Sequence, residues 1–283
     1  MRQDDRIGYH DYHNMARLIK IYPALLRLYR RRAVAYRATY IIVLVNAAFP
    51  LVMMSIWIGL AQQGATQSDG YNAVNFAAYY LTAIVVRRIT ACGIVRDIEG
   101  LIRNGDLSVY LLRPVGLLHH FVARVLTTRL VVVPIVFVPV AIGMLITPGV
   151  VQTLDLHPLN LAVFVLACAV GLAFEFITQY TIGCLAFWIT QAHGVNAAFA
   201  LAKSFLGGYI VPLGLFPLAL QTTLQMLPFQ SGVALPVEIL TGRLTPEAAL
   251  ARITICAVWV AVIALFMRLI WRAGLRSFSA VGA

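Results

Sequence analysis

A chain of 283 residues that is 61% apolar and only 12% charged, with a mean hydropathy of +0.84, has too little polar surface to clothe a water-soluble globule of that size. Its 22 Lys and Arg against 11 Asp and Glu give a formal charge of +11, an excess shared by nucleic-acid binders and by membrane proteins with basic helix ends. Here the bases flank apolar runs, so position argues for lipid and against nucleic acid.

Residues 1–38 are polar and basic and lack a small-residue cleavage pattern, which implies a retained cytoplasmic tail rather than an export signal. Within it, over 13–32, Met15, Leu18, Ile19, Tyr22, Leu26 and Tyr29 recur at helical spacing, while Arg17, Lys20, Arg27, Arg30 and Arg31 fall mainly between them. That pattern predicts an amphipathic helix on an anionic membrane face, against the plainer reading of a basic flank that orients the first span.

Six stretches then have the roughly 20 mainly apolar residues that a membrane helix needs: 40–61, 74–93, 118–147, 159–189, 196–220 and 250–271. Residues 39–283 therefore read as one all-α, polytopic transmembrane domain with six crossings. Its orientation follows from Lys and Arg. The tail to Arg37 carries nine, connections 62–73 and 148–158 carry none, and the segment 96–114 carries Arg96, Arg103 and Arg113 with Arg87 and Arg88 just before it. The C-terminal end carries Arg268, Arg272 and Arg276. Positive charge stays inside, so both termini and 96–114 are expected on the cytoplasmic side of the cell membrane. Arg243 and Arg252, in the last outer connection, run against this rule.

The segment 96–114, RDIEGLIRNGDLSVYLLRP, is a charged island between apolar runs. Ile94, Ile98, Leu101 and Ile102 form one helical face opposed by Arg96, Asp97 and Arg103. Asn104-Gly105 signals a turn, Asp106 suits an N-cap, and a second short helix over 107–112 ends at Arg113-Pro114. Exposed apolar side chains such as Val109, Leu111 and Leu112 among charges of both signs suit the groove of a cytosolic partner. The alternative is that they pack on the protein's own helix ends.

The last connection, 221–249, holds a Pro-broken apolar piece from Pro228 and Phe229 to Pro236, followed by Glu238, too short to cross. It suits a re-entrant outer segment over 228–242 rather than an ordinary loop. Among polar residues inside apolar runs, which are costly to bury and so functional candidates, Glu175 stands out between Phe174 and Phe176, with Thr178 and Gln179 a turn away. It could receive a cationic or amphipathic substrate with help from the rings. It could equally pair with an Arg of the second or third span, or stay protonated. Tyr79, Tyr80, Asn46 and Ser55 are further pathway candidates, and Arg87, Arg88, Arg124 and Arg129 read as anchors that snorkel to headgroups.

Catalytic templates fail. With two lysines in the chain, Lys203-Ser204 is preceded by Ala202 where a phosphate-binding loop needs Gly. No HExxH or GxSxG occurs, and His119, His120 and His157 lack a carboxylate cluster. Cys92, Cys168, Cys184 and Cys256 are single and suit buried thiols. The expectation is a non-enzyme with no metal and no cofactor of its own.

The stretch Asn104-Gly105-Asp106-Leu107, then Leu111-Leu112-Arg113-Pro114-Val115, resembles the signature after the second span in permeases of the ABC-2 export family, in particular its six-span "ABC-2 family transporter protein" branch. Tyr209-Ile210-Val211-Pro212-Leu213 with Phe216-Pro217, Leu227-Pro228-Phe229 with Pro236-Val237-Glu238-Ile239-Leu240-Thr241-Gly242-Arg243, and Trp271-Arg272-Ala273-Gly274-Leu275-Arg276 are similar to that branch as well. The resemblance implies an exporter subunit that pairs with a second permease and with two separate cytosolic ABC ATPases carrying ATP and Mg. Its substrates would be drugs, lipids, glycans or organic cations. It also implies that 97–113 is a coupling helix, with Asp97, Ile98, Leu101, Arg103, Asp106, Leu107, Leu111, Leu112 and Arg113 meeting the ATPase, and that 12–32 approaches it too. Pro228, Phe229, Pro236 and Glu238 would gate the outer side. Rival readings are an ion-coupled carrier that uses Glu175 and a non-transporting assembly subunit.

Overall fold

The computed structural model describes residues 22–23, 26–29, 37–64, 71–113 and 115–278, with side chains from Ala48 onward in the first long helix. The described chain is helical, with no strand among its residues. Ten helices follow in order: α1 (Arg37–Gln62), α2 (Ala73–Thr90), α3 (Val95–Arg103), α4 (Leu107–Leu111), α5 (Leu117–Ile146), α6 (Pro158–Cys184), α7 (Ala192–Leu206), α8 (Leu218–Met226), α9 (Ala234–Leu240) and α10 (Pro246–Ser277).

Four stretches are long and apolar enough to cross a bilayer: Ala73–Arg103, which joins α2 and α3 across a short break, Leu117–Ile146, Pro158–Phe187 and Pro246–Ser277. Ala48–Gln62 is a shorter apolar helix within the described part of α1. The starts are local chemistry. Pro158 and Pro246 occupy first-turn positions where a missing N–H costs nothing, and the Thr245 hydroxyl accepts from the Ala248 N–H. Inside α5 and α6, the hydroxyls of Thr127, Thr128 and Thr181 donate to carbonyls one turn back at 2.7–2.9 Å, which hides them from an apolar surround.

The expected continuous helix over 196–220 is not there. α7 stops at Leu206, Gly208 takes φ +82°, and the chain passes through Pro212 and a short 3-10 turn, Leu213–Leu215, before α8. Two features cause the break. Gly208 sits in the left-handed region, and a Cβ on Gly207 would collide with the Phe229 carbonyl. The freed carbonyls are satisfied from outside: Tyr79 Oη donates to the Gly208 oxygen and Tyr80 Oη to the Ile210 oxygen, each at 2.7 Å, and Trp57 Nε1 adds 3.1 Å to Ile210.

The core runs along α6, which packs most extensively on α10 and also touches α2, α3, α7 and α9. Small residues permit this closeness. A Cβ on Gly274 of α10 would overlap the Phe187 ring, and one on Gly171 of α6 would overlap the Ser231 carbonyl. Cys168, Cys184 and Cys256 are buried thiols and Cys92 is partly covered, as expected for free cysteines.

Candidate functional site

Two groups of residues carry the site candidates: the island at one end of the bundle and a set of buried polar side chains. The island divides in two. α3 turns Val95, Ile98 and Ile102 inward, with Ile94 just before it, onto α6, the Leu185–Phe187 turn and α7. Ile98 is fully buried and fits so closely that a Cβ on Gly183 would lie 2.9 Å from its own Cβ. Polar links fasten the same helix. Asp97 pairs with Arg124 of α5 at 2.9 Å, while Glu99 accepts from the His193 backbone N–H at the start of α7 at 2.9 Å and meets the His193 ring at 3.0 Å and Arg103 at 3.4 Å.

α4 does the opposite. Leu107 is buried, yet Val109 and Leu111 are about half exposed and Leu112 is 88% exposed, with Asp106 and Arg113 exposed beside them. Arg113 lies over the Tyr110 ring at 4.6 Å. Two expectations change here. Asp106 makes no side-chain cap bond, because its own backbone is helical rather than extended, and α4 ends at Leu111 rather than Leu112. Ser108 instead closes the turn by donating to the Gly105 carbonyl at 2.7 Å.

Of the N-terminal amphipathic helix over 13–32, only Tyr22, Pro23 and 26–29 lie among the described residues. Tyr22 Oη meets His119 Nδ1 at 3.0 Å and Tyr29 Oη meets His120 Nδ1 at 3.4 Å. The two histidines at the start of α5 thus receive Tyr22 and Tyr29 beside α4, where Tyr110 also stands edge-on to His120.

The interior candidates come together differently from what their sequence positions suggest. Glu175 is buried and its partner is Lys203 of α7, whose Nζ lies 2.5 Å from Oε2. Gln179 bridges Glu175 at 3.4 Å and Asn196 at 3.0 Å. This internal pairing has a Lys of α7 in place of the Arg of the second or third span that the sequence offers as one alternative. One signal could have found it: a lone Lys inside an apolar run needs a counter-charge. Phe174 and Phe176 are buried, and Phe174 stands edge-on to Phe229. Tyr79 and Tyr80 are buried and cap the α7 break. Ser55 donates to its own helix, and the Asn46 side chain lies outside the described residues.

The segment after α8 is buried nearly throughout, from the 3-10 turn Pro228–Gly232 through α9. Its turn reaches the middle of α6 at Gly171 and the end of α2, where Thr90 Oγ1 donates to the Gly232 carbonyl at 2.7 Å. Its far end returns to the α5–α6 connection, where the Asp155 N–H donates to the Leu240 carbonyl at 2.8 Å. Glu238 pairs with Arg252 Nη1 at 2.6 Å, and Arg252 Nε donates to Gln230 Oε1 at 2.6 Å. Arg243 lies 3.5 Å over the Tyr71 ring. Both arginines that run against the charge rule have partners in the fold. One is inside the fold on a carboxylate and the other on an aromatic face.

This is a multi-pass helical membrane protein in which the buried charges Glu175, Lys203, Glu238 and Arg252 are paired within the fold, and one short helix is exposed with an apolar tip. A family model for ABC-2 family transporter protein matches residues 34–282. The chain belongs to that family, whose membrane proteins generally work with ATPase subunits. A search of curated proteins gave no match.

Proposed function

We propose that the chain is the permease subunit of an ATP-driven exporter, set in the cell's inner or plasma membrane. Its six crossings would be α1, α2, α5, α6, α7 with the extended chain that follows it, and α10. Both termini and the island face the cytoplasm, and the segment from α8 through α9 enters and leaves from the outer side. Two separate ATPases bind ATP and Mg, a second permease completes the pathway, and this chain catalyses nothing itself. The cargo is a hydrophobic or amphipathic molecule taken from the cytoplasm or inner leaflet.

The observation that carries this reading is the island's construction. α4 presents Val109, Leu111 and Leu112 outward while α3, one turn away, is fastened to α5, α6 and α7. A pull on α4 is therefore delivered to three membrane helices as a rigid-body displacement. A carrier driven by Glu175 is less well supported, since that carboxylate is already held by Lys203. The test is co-purification with an ABC ATPase. Asp106→Lys and Leu111→Asp should each abolish association while the permease still elutes as a folded species, and unchanged association after both would overturn the reading.

A further inference from the structure

The island carries a cavity as well as an exposed helix. Arg96, Glu99, Gly100 and Arg103 of α3, Asn104 at its C-terminal cap and His193 at the start of α7 line an open space of about 330 Å³. Glu99 is its buried member, and that charge is already met: the His193 backbone N–H donates to it at 2.9 Å, the His193 ring stands at 3.0 Å and Arg103 Nη1 at 3.4 Å. The rim is basic. Arg96 is exposed and takes part in no ion pair or hydrogen bond among the described residues. Arg103 spends one nitrogen on Glu99 and its side chain stays 53% exposed, while that of His193 is 42% exposed.

Gly100 gives an independent sign. It lies inside α3, where Gly weakens a helix relative to Ala, and a Cβ added to it would meet no atom within 4 Å. Gly183 differs, since Ile98 of the same α3 fills the space beside it. The fold therefore gains nothing from the side chain missing at Gly100, whereas an entering group would use the room it leaves. The cavity also adjoins α4: Asn104 on its wall is followed by Gly105, at φ +78°, by Asp106 and then by α4, whose Val109, Leu111 and Leu112 are uncovered.

We infer that the cavity receives an acidic side chain of the cytosolic ATPase, with Arg96 as its main partner and Arg103, Asn104 and His193 around it, while the tip of α4 lies in an apolar groove of the same subunit. The inference rests on the exporter reading and adds the chemistry of the partner, an apolar groove with an aspartate or glutamate at its edge. A carboxylate suits the cavity because a guanidinium presents fork-shaped, charge-assisted donors to its two oxygens, and because the one anion inside is already paired. A small free anion would leave the α4 side chains bare, whereas one protein partner covers both. The second contact has a mechanical consequence. A grip on α4 alone acts through the Gly105 turn, but a grip on α3 acts directly on a helix fastened to α5, α6 and α7.

The test uses the full chain in phosphatidylcholine–phosphatidylglycerol nanodiscs and the ATPase that co-purifies with it, with affinity read at low and high salt. Arg96→Gln should weaken association roughly tenfold and Arg96→Glu roughly a hundredfold, while Arg96→Lys should keep most of it. Raising the salt should cost the wild type more affinity than it costs Arg96→Gln. Gly100→Leu fills the cavity without touching a charge; it should weaken association roughly tenfold or more with the melting temperature not lowered, and Gly100→Ala should stay near the wild type. Unchanged association in both Arg96→Glu and Gly100→Leu would overturn the inference, and if Leu112→Asp still abolished association, the exporter reading would survive it. Loss of bound phosphatidylglycerol in Arg96→Glu with ATPase association intact would give the cavity to lipid and overturn the inference as well. A wild-type chain that recruits no ATPase would sink the exporter reading and this inference together.

Discussion

The two short helices of the island have opposite fates. α3 spends Val95, Ile98 and Ile102 on the protein's own core and pins its polar side with Asp97–Arg124 and Glu99–His193, while α4 keeps only Leu107 inside and leaves Val109, Leu111 and Leu112 outside. The difference lies in what stands opposite. α3 faces Gly183, whose missing side chain opens room for Ile98, and no such socket receives Leu112. An apolar residue without a socket marks an interface, whereas one with a socket marks an anchor.

A large effect should come from filling the socket. Gly183→Leu places a side chain where Ile98 stands, and overpacking at so close an approach should cost about 3 kcal/mol, read as a loss of thermal stability in detergent. A comparable or greater loss, about 3–5 kcal/mol, is expected from Glu238→Ala, because it strands the buried Arg252 charge of α10. Replacing both partners by apolar residues of similar size should be far milder. Tyr79→Phe should cost about 1–3 kcal/mol by leaving the Gly208 carbonyl without its donor at the α7 break. At the small end, Asp97→Asn should cost about 0.2–1 kcal/mol, since its pair with Arg124 is 38% exposed on both sides. Leu112→Asp should change stability by no more than about 0.5 kcal/mol yet remove ATPase association. Large loss at Leu112 and none at Gly183 would invert the assignment of anchor and handle.

What the sequence shows and what it hides follow from the range of the interactions involved. Apolar run length located α2, α5, α6 and α10, and the prolines and charge of 228–242 announced a non-crossing segment, because both are local signals. The inward face of α3 was visible in the spacing of Ile94, Ile98 and Ile102, but its destination was not, since Gly183 lies far along the chain. The Glu175–Lys203 and Glu238–Arg252 pairs join residues on different elements, and no periodicity reports such a match. The run over 196–220 is mainly apolar and reads as one helix despite the breaker residues Gly207, Gly208 and Pro212. The positive φ at Gly208 and the Tyr79 and Tyr80 donors fix the break there. Arg252 misled for the same reason, since a buried arginine counts as a loop charge until its carboxylate is found.

The central claim is that α4 is a cytosolic handle. Leu112→Cys tests it directly, against a low background because three of the four native cysteines are buried. A membrane-impermeant maleimide should label this position in inverted membrane vesicles and not in right-side-out ones, and bound ATPase should slow the labelling. Labelling from the outer side, or a rate in inverted vesicles that the ATPase leaves unchanged, would contradict the account.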